Sequence, residues 1–102
     1  MHAIKAFCKG NFVEAKKGEE NYEIELKILN QLKHKNLVSL VETFESEKSI
    51  YFVMELLSFN LFQFLGKFGF PTEEATKFII INLLHGLKHM HDLKIMHRDI
   101  KL

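Results

Sequence analysis

The stretch Ile95-Met96-His97-Arg98-Asp99-Ile100-Lys101 lies near the end of the chain. Four of its seven residues carry charged or titratable side chains. An Asp follows a His by two residues, and a Lys follows that Asp by two more. A motif of this length is a hypothesis whose meaning depends on the elements that surround it. The order of strands and helices before residue 95 therefore decides how the stretch is interpreted.

Composition bounds the class of protein. The chain has 102 residues, which is one small domain or a part of a larger one. A hydrophobic share of 47% is typical of a globular protein, and a net charge of +1 gives no electrostatic footprint for nucleic acid. The longest apolar run, residues 78–81, is far shorter than the ~20 residues that span a bilayer. We therefore expect neither a nucleic-acid nor a membrane partner.

The start of the chain and its single cysteine bear on the compartment. Met1 to Lys5 has the pattern of neither a signal peptide nor a transit peptide. Cys8 is the only cysteine, so an internal disulfide is impossible. These features favour an intracellular, reducing compartment, and we expect the cytoplasm.

A helix predicted over residues 22–33 carries one carboxylate on its apolar side. At about 100° per residue, Glu23 falls among the polar residues, whereas Glu25 falls inside the apolar arc. A carboxylate that faces a core is costly unless it is paired and hydrogen-bonded. Two interpretations stay open: Glu25 has an inward partner, for which Lys5 is the best candidate, or it lies near the helix edge and reaches water. The apolar arc comprises Tyr22, Ile24, Leu26, Ile28, Leu29 and Leu32.

Three strands are predicted around this helix. Residues 2–7 form a short strand, and the polar, glycine-containing residues 9–20 form a connecting loop. After the helix, residues 37–41 with 43–44 form a second strand, and residues 49–54, rich in β-branched and aromatic side chains, form a third. Ser46-Glu47-Lys48 is the polar turn between them.

Two helices are predicted in the second half of the chain. Residues 61–68 form a short apolar helix, which Gly69-Phe70-Pro71 ends. Thr72 is a good N-cap for a second helix that runs to about Asp92, with two glutamates in the first turn, where carboxylates suit the helix dipole. We expect this helix to be mostly buried because its apolar face is wide. That face comprises Ala75, Ile79, Ile80, Leu83, Leu84, Leu87 and Met90.

The histidines of the long helix do not predict a metal site. His85 and His89 are spaced i, i+4, as in helical zinc sites. No Glu directly follows the first of them, and no Cys or carboxylate offers an obvious third ligand. A solvated helix face is the expected explanation.

With this context, residues 95–101 resemble the start of the protein-kinase catalytic loop, whose pattern is H-R-D-L-x-x-x-N. Ala3-Ile4-Lys5 matches the end of the kinase V-A-I-K strand motif, and Lys5 with Glu25 resembles the ion pair of the kinase small lobe. Lys101 is typical of the serine/threonine class. The resemblance, to a eukaryotic-type protein kinase catalytic domain, covers essentially the whole chain, and its strength lies in the order and spacing of its motifs.

The resemblance implies an α+β, protein-kinase-like fold in part. Its elements are the antiparallel strands of the small lobe with helix C, the hinge, and the first helices of the large lobe. Residues 1–54 would belong to the small lobe, residues 55–60 to the hinge, and residues 61–102 to the start of the large lobe.

The resemblance also implies an ATP site. Lys5 would hold the α- and β-phosphates, and Glu25 would orient it. Met54 would be the gatekeeper at the back of the nucleotide pocket. The backbone C=O of Glu55 and N–H of Leu57 would hold the adenine edge, since backbone groups offer one fixed donor and one fixed acceptor.

The segment after the hinge departs from many family members. They carry two glycines and a Glu there, whereas this chain has Ser58-Phe59-Asn60-Leu61. That form looks more like the branch that contains dual-specificity and cyclin-dependent kinases. Asn60 could meet the ribose.

The catalytic roles follow from the loop motif. Asp99 would accept the proton of the substrate hydroxyl, and Lys101 would neutralise charge near the γ-phosphate. Arg98 would bind a phosphate of the activation loop, and His97 would be the packing histidine of the loop.

The implied function is phosphoryl transfer from ATP, with Mg²⁺, to protein hydroxyls. The glycine-rich loop, the Asn that binds one Mg²⁺ and the D-F-G segment would lie outside residues 1–102, so both Mg²⁺ ligands are expected outside this chain. We expect ATP and a protein substrate as partners, with any further protein partner unknown, and residues 1–102 alone to be inactive. The alternative is a non-catalytic kinase fragment or pseudokinase that acts as a binding module.

Overall fold

A three-stranded antiparallel sheet organises the first part of the chain in the computed structural model, which describes residues 1–9 and 15–102 and, for residues 15–21, the backbone alone. The strands are β1 (His2–Cys8), β2 (Leu40–Glu45) and β3 (Ser49–Glu55). Their order in the sheet is β1-β3-β2, so the last strand in sequence is the central one.

The central strand supplies most of the buried apolar side chains of this unit. Ile50, Phe52 and Val53 are buried, and Phe52 is fully enclosed. The Phe7 ring of β1 lies with its centroid 5.0 Å from that of Phe52, at a tilt of 52°. Aromatic rings in tilted contact at this distance pack favourably. The predicted strand over residues 49–54 is confirmed and ends one residue later, at Glu55.

The register between β1 and β3 fixes which side chains share a face. Lys5 lies opposite Phe52, and Ala3 lies opposite Met54. Directly opposite residues of an antiparallel pair point to the same side of the sheet. Lys5 and Met54 therefore stand on one face, together with the aromatic side chain of Phe7 two residues after the lysine.

The helix α1 (Ala15–Gln31) begins earlier than the sequence analysis predicts. A loop is expected over residues 9–20; residues 10–14 lie outside those described, but the backbone from Ala15 onward is helical. Ala, Lys and Glu are strong helix formers, and their presence here outweighs the cost of Gly18. The helix packs on β1, where the Phe7 and Tyr22 rings have centroids 6.3 Å apart.

Strand β2 begins later than predicted, at Leu40 rather than residue 37. The N–H of Leu37 donates to the carbonyl oxygen of His34 at 3.1 Å, so this residue belongs to a turn and not to the sheet ladder. The pairing of β2 with β3 shifts register between Leu40 and Glu42. The polar turn before β3 is confirmed, since the N–H of Ser46 donates to the carbonyl of Ser49 at 2.8 Å.

The chain forms two compact units. The first consists of Met1–Lys33 and Val38–Leu56, and the second of His34–Leu37 and Leu57–Leu102. The second unit contains α2 (Leu61–Phe68) and α3 (Glu73–Asp92). The short segment His34–Leu37 therefore packs with the helices and not with the sheet that flanks it in sequence.

Both helices of the second unit have N-caps, of which the sequence predicted the one at Thr72. At the start of α2, the N–H of Gln63 donates to Asn60 Oδ1 at 2.8 Å and the N–H of Asn60 donates to Gln63 Oε1 at 3.0 Å, which is a capping box. At the start of α3, the N–H of Ala75 donates to Thr72 Oγ1 at 3.1 Å. The predicted helix bounds at residues 61–68 and near Asp92 are confirmed.

The end of α3 sets the direction of the chain toward residues 95–101. The N–H of Ile95 donates to the carbonyl of Met90 at 2.9 Å, and that of Lys94 donates to the carbonyl of His91 at 3.0 Å. Lys94 has φ of +61°, so these bonds form a Schellman motif with a lysine in the left-handed position that glycine usually fills.

The expectation that α3 is mostly buried is wrong for the described residues. On this helix only Gly86 and Met90 are buried in the part of the chain that the structure describes, and Ile80, Leu83 and Leu84 of the predicted apolar face are exposed. Besides α3, the second unit contains the segment His34–Leu37, the short helix α2 and the loops before and after the two helices, and these cover little of a helix of 20 residues. No helix among the described residues is long and apolar enough to cross a membrane.

We predict that a polypeptide of residues 1–102, produced alone, aggregates or melts without a cooperative transition. Large exposed apolar surface promotes association, and a small core repays little of the chain entropy of about 1–2 kcal/mol per residue. Calorimetry and light scattering test this, with a full-length parent protein that contains these residues as the control. A sharp two-state melt from a monomer would contradict it.

Candidate functional site

An ion pair joins the first strand to the first helix. Lys5 Nζ lies 2.7 Å from Glu25 Oε1, a distance typical of a charge-assisted hydrogen bond. Glu23, two residues earlier, is exposed on the other side of α1. Of the two interpretations that the sequence leaves open, the structure shows the first: Glu25 is paired with Lys5.

The pair is accessible rather than deeply buried. The Lys5 side chain is 48% exposed and the Glu25 side chain is 34% exposed. Ion pairs with this degree of exposure contribute about 0–1 kcal/mol to stability, because water competes for both charges. The pair therefore orients the Lys5 ammonium more than it stabilises the fold.

One helix residue behaves differently from its prediction. The sequence places Ile24 in the apolar arc of α1, and the structure exposes 58% of it. It lies about 100° around the helix from Glu25, at the edge of the arc that meets the sheet. The other members of that arc from Tyr22 to Leu32 are half-buried.

Phe7 is a site residue that the sequence analysis missed. Its ring centroid lies 5.0 Å from Lys5 Nζ, within the range of a cation–π interaction. The sequence does contain a signal for this contact. Alternate residues of a strand share a face, and Phe7 lies two residues after Lys5. The Lys5 ammonium is thus held between an aromatic face and a carboxylate.

The end of β3 is tied to the start of β2. The N–H of Glu55 donates to the carbonyl of Ser39 at 2.9 Å, and the N–H of Ser39 donates to Glu55 Oε2 at 3.3 Å. Both the amide and the carboxylate of Glu55 are therefore occupied by Ser39. The role predicted for Glu55 uses neither, since it rests on the backbone carbonyl.

Two predicted site residues, Leu57 and Asn60, lie at the start of the segment Leu57–Leu102 of the second unit. The N–H of Leu57 has no hydrogen-bond partner among the described residues. Asn60 caps α2 through its side-chain oxygen. Its predicted contact with ribose is therefore restricted to the side-chain Nδ2 group.

The stretch at residues 95–101 folds as a loop with an internal hydrogen bond. The N–H of Asp99 donates to His97 Nδ1 at 3.1 Å. Lys101 Nζ lies 3.2 Å from Asp99 Oδ2, and both side chains are exposed. A carboxylate and an ammonium are thus adjacent, which suits proton acceptance and charge neutralisation at one reacting group.

Arg98 adopts an uncommon backbone conformation. Its φ is +66°, a left-handed value that costs a non-glycine residue about 1–2 kcal/mol. Nothing in its sequence predicts this angle. In this conformation the amide of Asp99 donates to Nδ1 at the edge of the His97 ring, and strain of this kind is concentrated at functional sites.

Metal-ligating side chains do not cluster in the described part of the chain. Among the side chains that the structure describes, those of residues 1–9 and 22–102, no group of three or more His, Cys, Asp or Glu could hold a metal ion. The free thiol of Cys8 is exposed.

Known proteins share this sequence pattern. The family described as the protein kinase domain matches residues 1–102. A protein named a probable serine/threonine-protein kinase, from Encephalitozoon cuniculi (strain GB-M1), is 45% identical over 78 residues, which are 76% of this chain and 15% of that protein. Calcium/calmodulin-dependent protein kinase type 1 of Caenorhabditis elegans is 37% identical over 103 residues, covering 99% of this chain and 28% of the relative.

A solved structure shares the fold. The crystal structure of Rad53 residues 1–466 in complex with AMP-PNP has a TM-score of 0.84 and 31% sequence identity. The match covers 98% of this chain and 26% of the Rad53 chain. The predicted α+β, partial kinase-like fold is therefore confirmed. The chain spans between 15% and 28% of the length of these relatives, and it belongs to the protein kinase domain family.

Proposed function

We propose that this chain serves ATP-dependent phosphoryl transfer to serine or threonine hydroxyls of a protein substrate. The observation that carries the proposal is the Lys5–Glu25 pair at 2.7 Å, on a strand and a helix of a kinase-family chain. Phosphoryl transfer depends on positioning and charge stabilisation more than on covalent chemistry, and in protein kinases it requires a lysine held in place by a carboxylate. The relatives carry the names of serine/threonine kinases.

The nucleotide contacts are assigned residue by residue. Lys5 holds the α- and β-phosphates, with its ammonium oriented by Glu25. Met54 stands on the same sheet face as Lys5 and closes the back of the adenine pocket. The carbonyl of Glu55 and the N–H of Leu57 bind the adenine edge. Asn60 Nδ2 donates to the ribose.

The catalytic contacts come from the loop after α3. Asp99 accepts the proton of the attacking hydroxyl, and Lys101, 3.2 Å from it, neutralises charge near the γ-phosphate. The hydrogen bond from the Asp99 amide to His97 Nδ1 fixes the backbone that carries the base. Arg98 binds a phosphate group of the activation loop.

ATP is used with Mg²⁺ in this chemistry. We assign no residue of 1–102 as a Mg²⁺ ligand, since the Asn and the D-F-G Asp that bind Mg²⁺ in protein kinases would lie outside these residues. The Rad53 structure is a complex with AMP-PNP, and this supports a nucleotide as the ligand of the fold.

The division into lobes and the compartment complete the proposal. Residues 1–54 belong to the small lobe, residues 55–60 to the hinge, and residues 61–102 to the start of the large lobe.

The exposed thiol of Cys8 is compatible with a reducing, intracellular compartment, and we propose the cytoplasm.

The first prediction tests the pair in a full-length parent protein that contains residues 1–102. Lys5→Met should lower kcat by about 10²-fold or more, because it removes a cation from the transferring phosphates. Glu25→Gln should weaken transfer strongly, because it releases the Lys5 ammonium. Steady-state kinetics with a peptide substrate gives the values, and thermal melts check that each variant folds.

Glu23→Gln is the matched control for Glu25→Gln. Glu23 lies on the same helix and is exposed, so its loss should leave kcat and KM unchanged. Equal damage from both substitutions would show that the effect comes from the helix and not from the ion pair.

The second prediction concerns the base. Asp99→Asn should lower kcat by about 10²–10⁴-fold with the Kd for ATP little changed, because a general base acts on the chemical step. Asp92→Asn, which removes a carboxylate paired with Lys88 on α3, is the control and should keep full turnover. Unaltered turnover in Asp99→Asn would remove Asp99 from its assigned role as the base.

A further inference from the structure

The segment His34–Leu37, here called the clasp, is fastened to the middle of α3. Asn36 Nδ2 donates to Asn82 Oδ1 at 2.9 Å. At Gly86, an added Cβ would lie 3.1 Å from the carbonyl oxygen of Asn36 and 3.3 Å from Leu37 Cδ2. Contacts this close leave little room for a side chain, so the clasp backbone lies directly on the helix surface.

A histidine holds the turn of the clasp. The N–H of Asn36 donates to His34 Nδ1 at 3.0 Å, and the N–H of Leu37 donates to the carbonyl of His34 at 3.1 Å. An imidazole nitrogen accepts a hydrogen bond only when it carries no proton. The turn therefore requires a neutral His34 ring with its proton on Nε2.

The same ring lies against a second histidine. The centroids of His34 and His89 are 5.1 Å apart, with 31° between the ring planes. His89 Nε2 is buried without a hydrogen-bond partner among the described residues. Two imidazoles at this separation repel each other when both are charged.

The other charged neighbours add to this repulsion. On α3, His85, Lys88, His89 and Asp92 line one cleft with His34, and Lys35 follows His34 on the clasp itself. The Asp92 carboxylate is engaged by Lys88 Nζ at 2.7 Å. The single negative group among the residues that line this cleft is thus already paired with a cation.

We propose that His34 is a proton-sensitive latch, which holds the clasp on α3 while it is neutral and releases it when it is protonated. A proton on Nδ1 would turn the acceptor for the Asn36 N–H into a second donor. The cation would also face His89, His85 and Lys35. Release requires no other group and does not depend on the proposed kinase activity.

The direction of the pKa shift agrees with this geometry. The pKa of His34 is lowered below its usual value of about 6.5. The largest cause is partial burial of the ring, and the neighbouring side chains of His89, Lys35 and His85 add to it. The released state, with its ordinary pKa, binds more protons, so the latched state loses stability as the pH falls through about 6.5. The loss stops once the pH passes the lowered pKa of the latched ring. The hydrogen bond from Lys88 lowers the pKa of Asp92, so that carboxylate stays charged across this range.

The first experiment reads the tautomer of the unmodified ring. In a ¹⁵N-labelled full-length parent protein, long-range ¹H–¹⁵N spectra at pH 7.5 should show His34 with its proton on Nε2 and none on Nδ1. A proton on Nδ1, or a doubly protonated ring at that pH, would overturn the proposal without any variant being made.

The second experiment measures hydrogen exchange of the Asn36 and Leu37 amides between pH 7.5 and 5.5. After correction for intrinsic exchange, their protection should fall about tenfold per pH unit below about 6.5, until the pKa of the latched ring is reached. Protection that is unchanged over this range would refute a latch that protons control.

Two matched substitutions separate His34 from the other histidines. The variant His34→Asn keeps a side-chain acceptor for the Asn36 N–H, as in an Asx turn, but its side chain cannot take up a proton. The protection of the Asn36 and Leu37 amides should therefore become independent of pH. His91→Asn removes an exposed histidine of α3 outside the cleft and should leave the pH dependence as it was. If His34→Asn kept the dependence, or His91→Asn abolished it, another group would be the sensor.

Discussion

The pairing of β1 and β2 on either side of β3 is the constraint on which the first unit depends. Phe52, fully enclosed at the centre of β3, fixes which face of the sheet is buried. Since side chains alternate along a strand, a slip of one residue between β1 and β3 would move Lys5 to the opposite face. The register that places Lys5 opposite Phe52 therefore also places its ammonium within reach of Glu25.

Features that depend on residues close together in the sequence could be predicted from the sequence alone. The strand signal of β3, which is its content of β-branched and aromatic residues, the N-cap at Thr72 and the phase of α1 depend on neighbours within a few residues, and each is present in the structure. Glu25 is the most informative case. A carboxylate among apolar residues predicts a partner, and the partner named from the sequence, 20 residues away, is the one that the structure shows.

Other features depend on what the rest of the molecule offers, which a local pattern does not contain. Ile24 lies at the edge of its arc, and its exposure is set by the width of the surface that α1 meets. Leu83 and Leu84 have the right spacing for burial, but α2 and the clasp are too small to cover α3. The φ of Arg98 has no residue-type signal, because arginine has no preference for the left-handed region.

Two turns of this chain use the same device. His97 accepts the N–H of Asp99, and His34 accepts the N–H of Asn36, each through Nδ1 and two residues apart. The sequences His-Arg-Asp and His-Lys-Asn thus share this hydrogen bond, although their backbones differ, since Arg98 has a φ of +66° and Lys35 does not have a positive φ. Their surroundings differ: the His97 ring is exposed, whereas the His34 ring is half-buried beside other cationic groups.

The surroundings of the His34 ring make the turn of the clasp sensitive to protons in the proposed latch. In that turn, Nδ1 is the acceptor for the Asn36 N–H. A proton added to His34 removes the same acceptor and also places a charge against His89 and Lys35, in a cleft whose carboxylate is already held by Lys88. Protonation of His34 therefore has a second cost, which comes from the groups that line its cleft, and in the proposed latch this cost favours release of the clasp from α3.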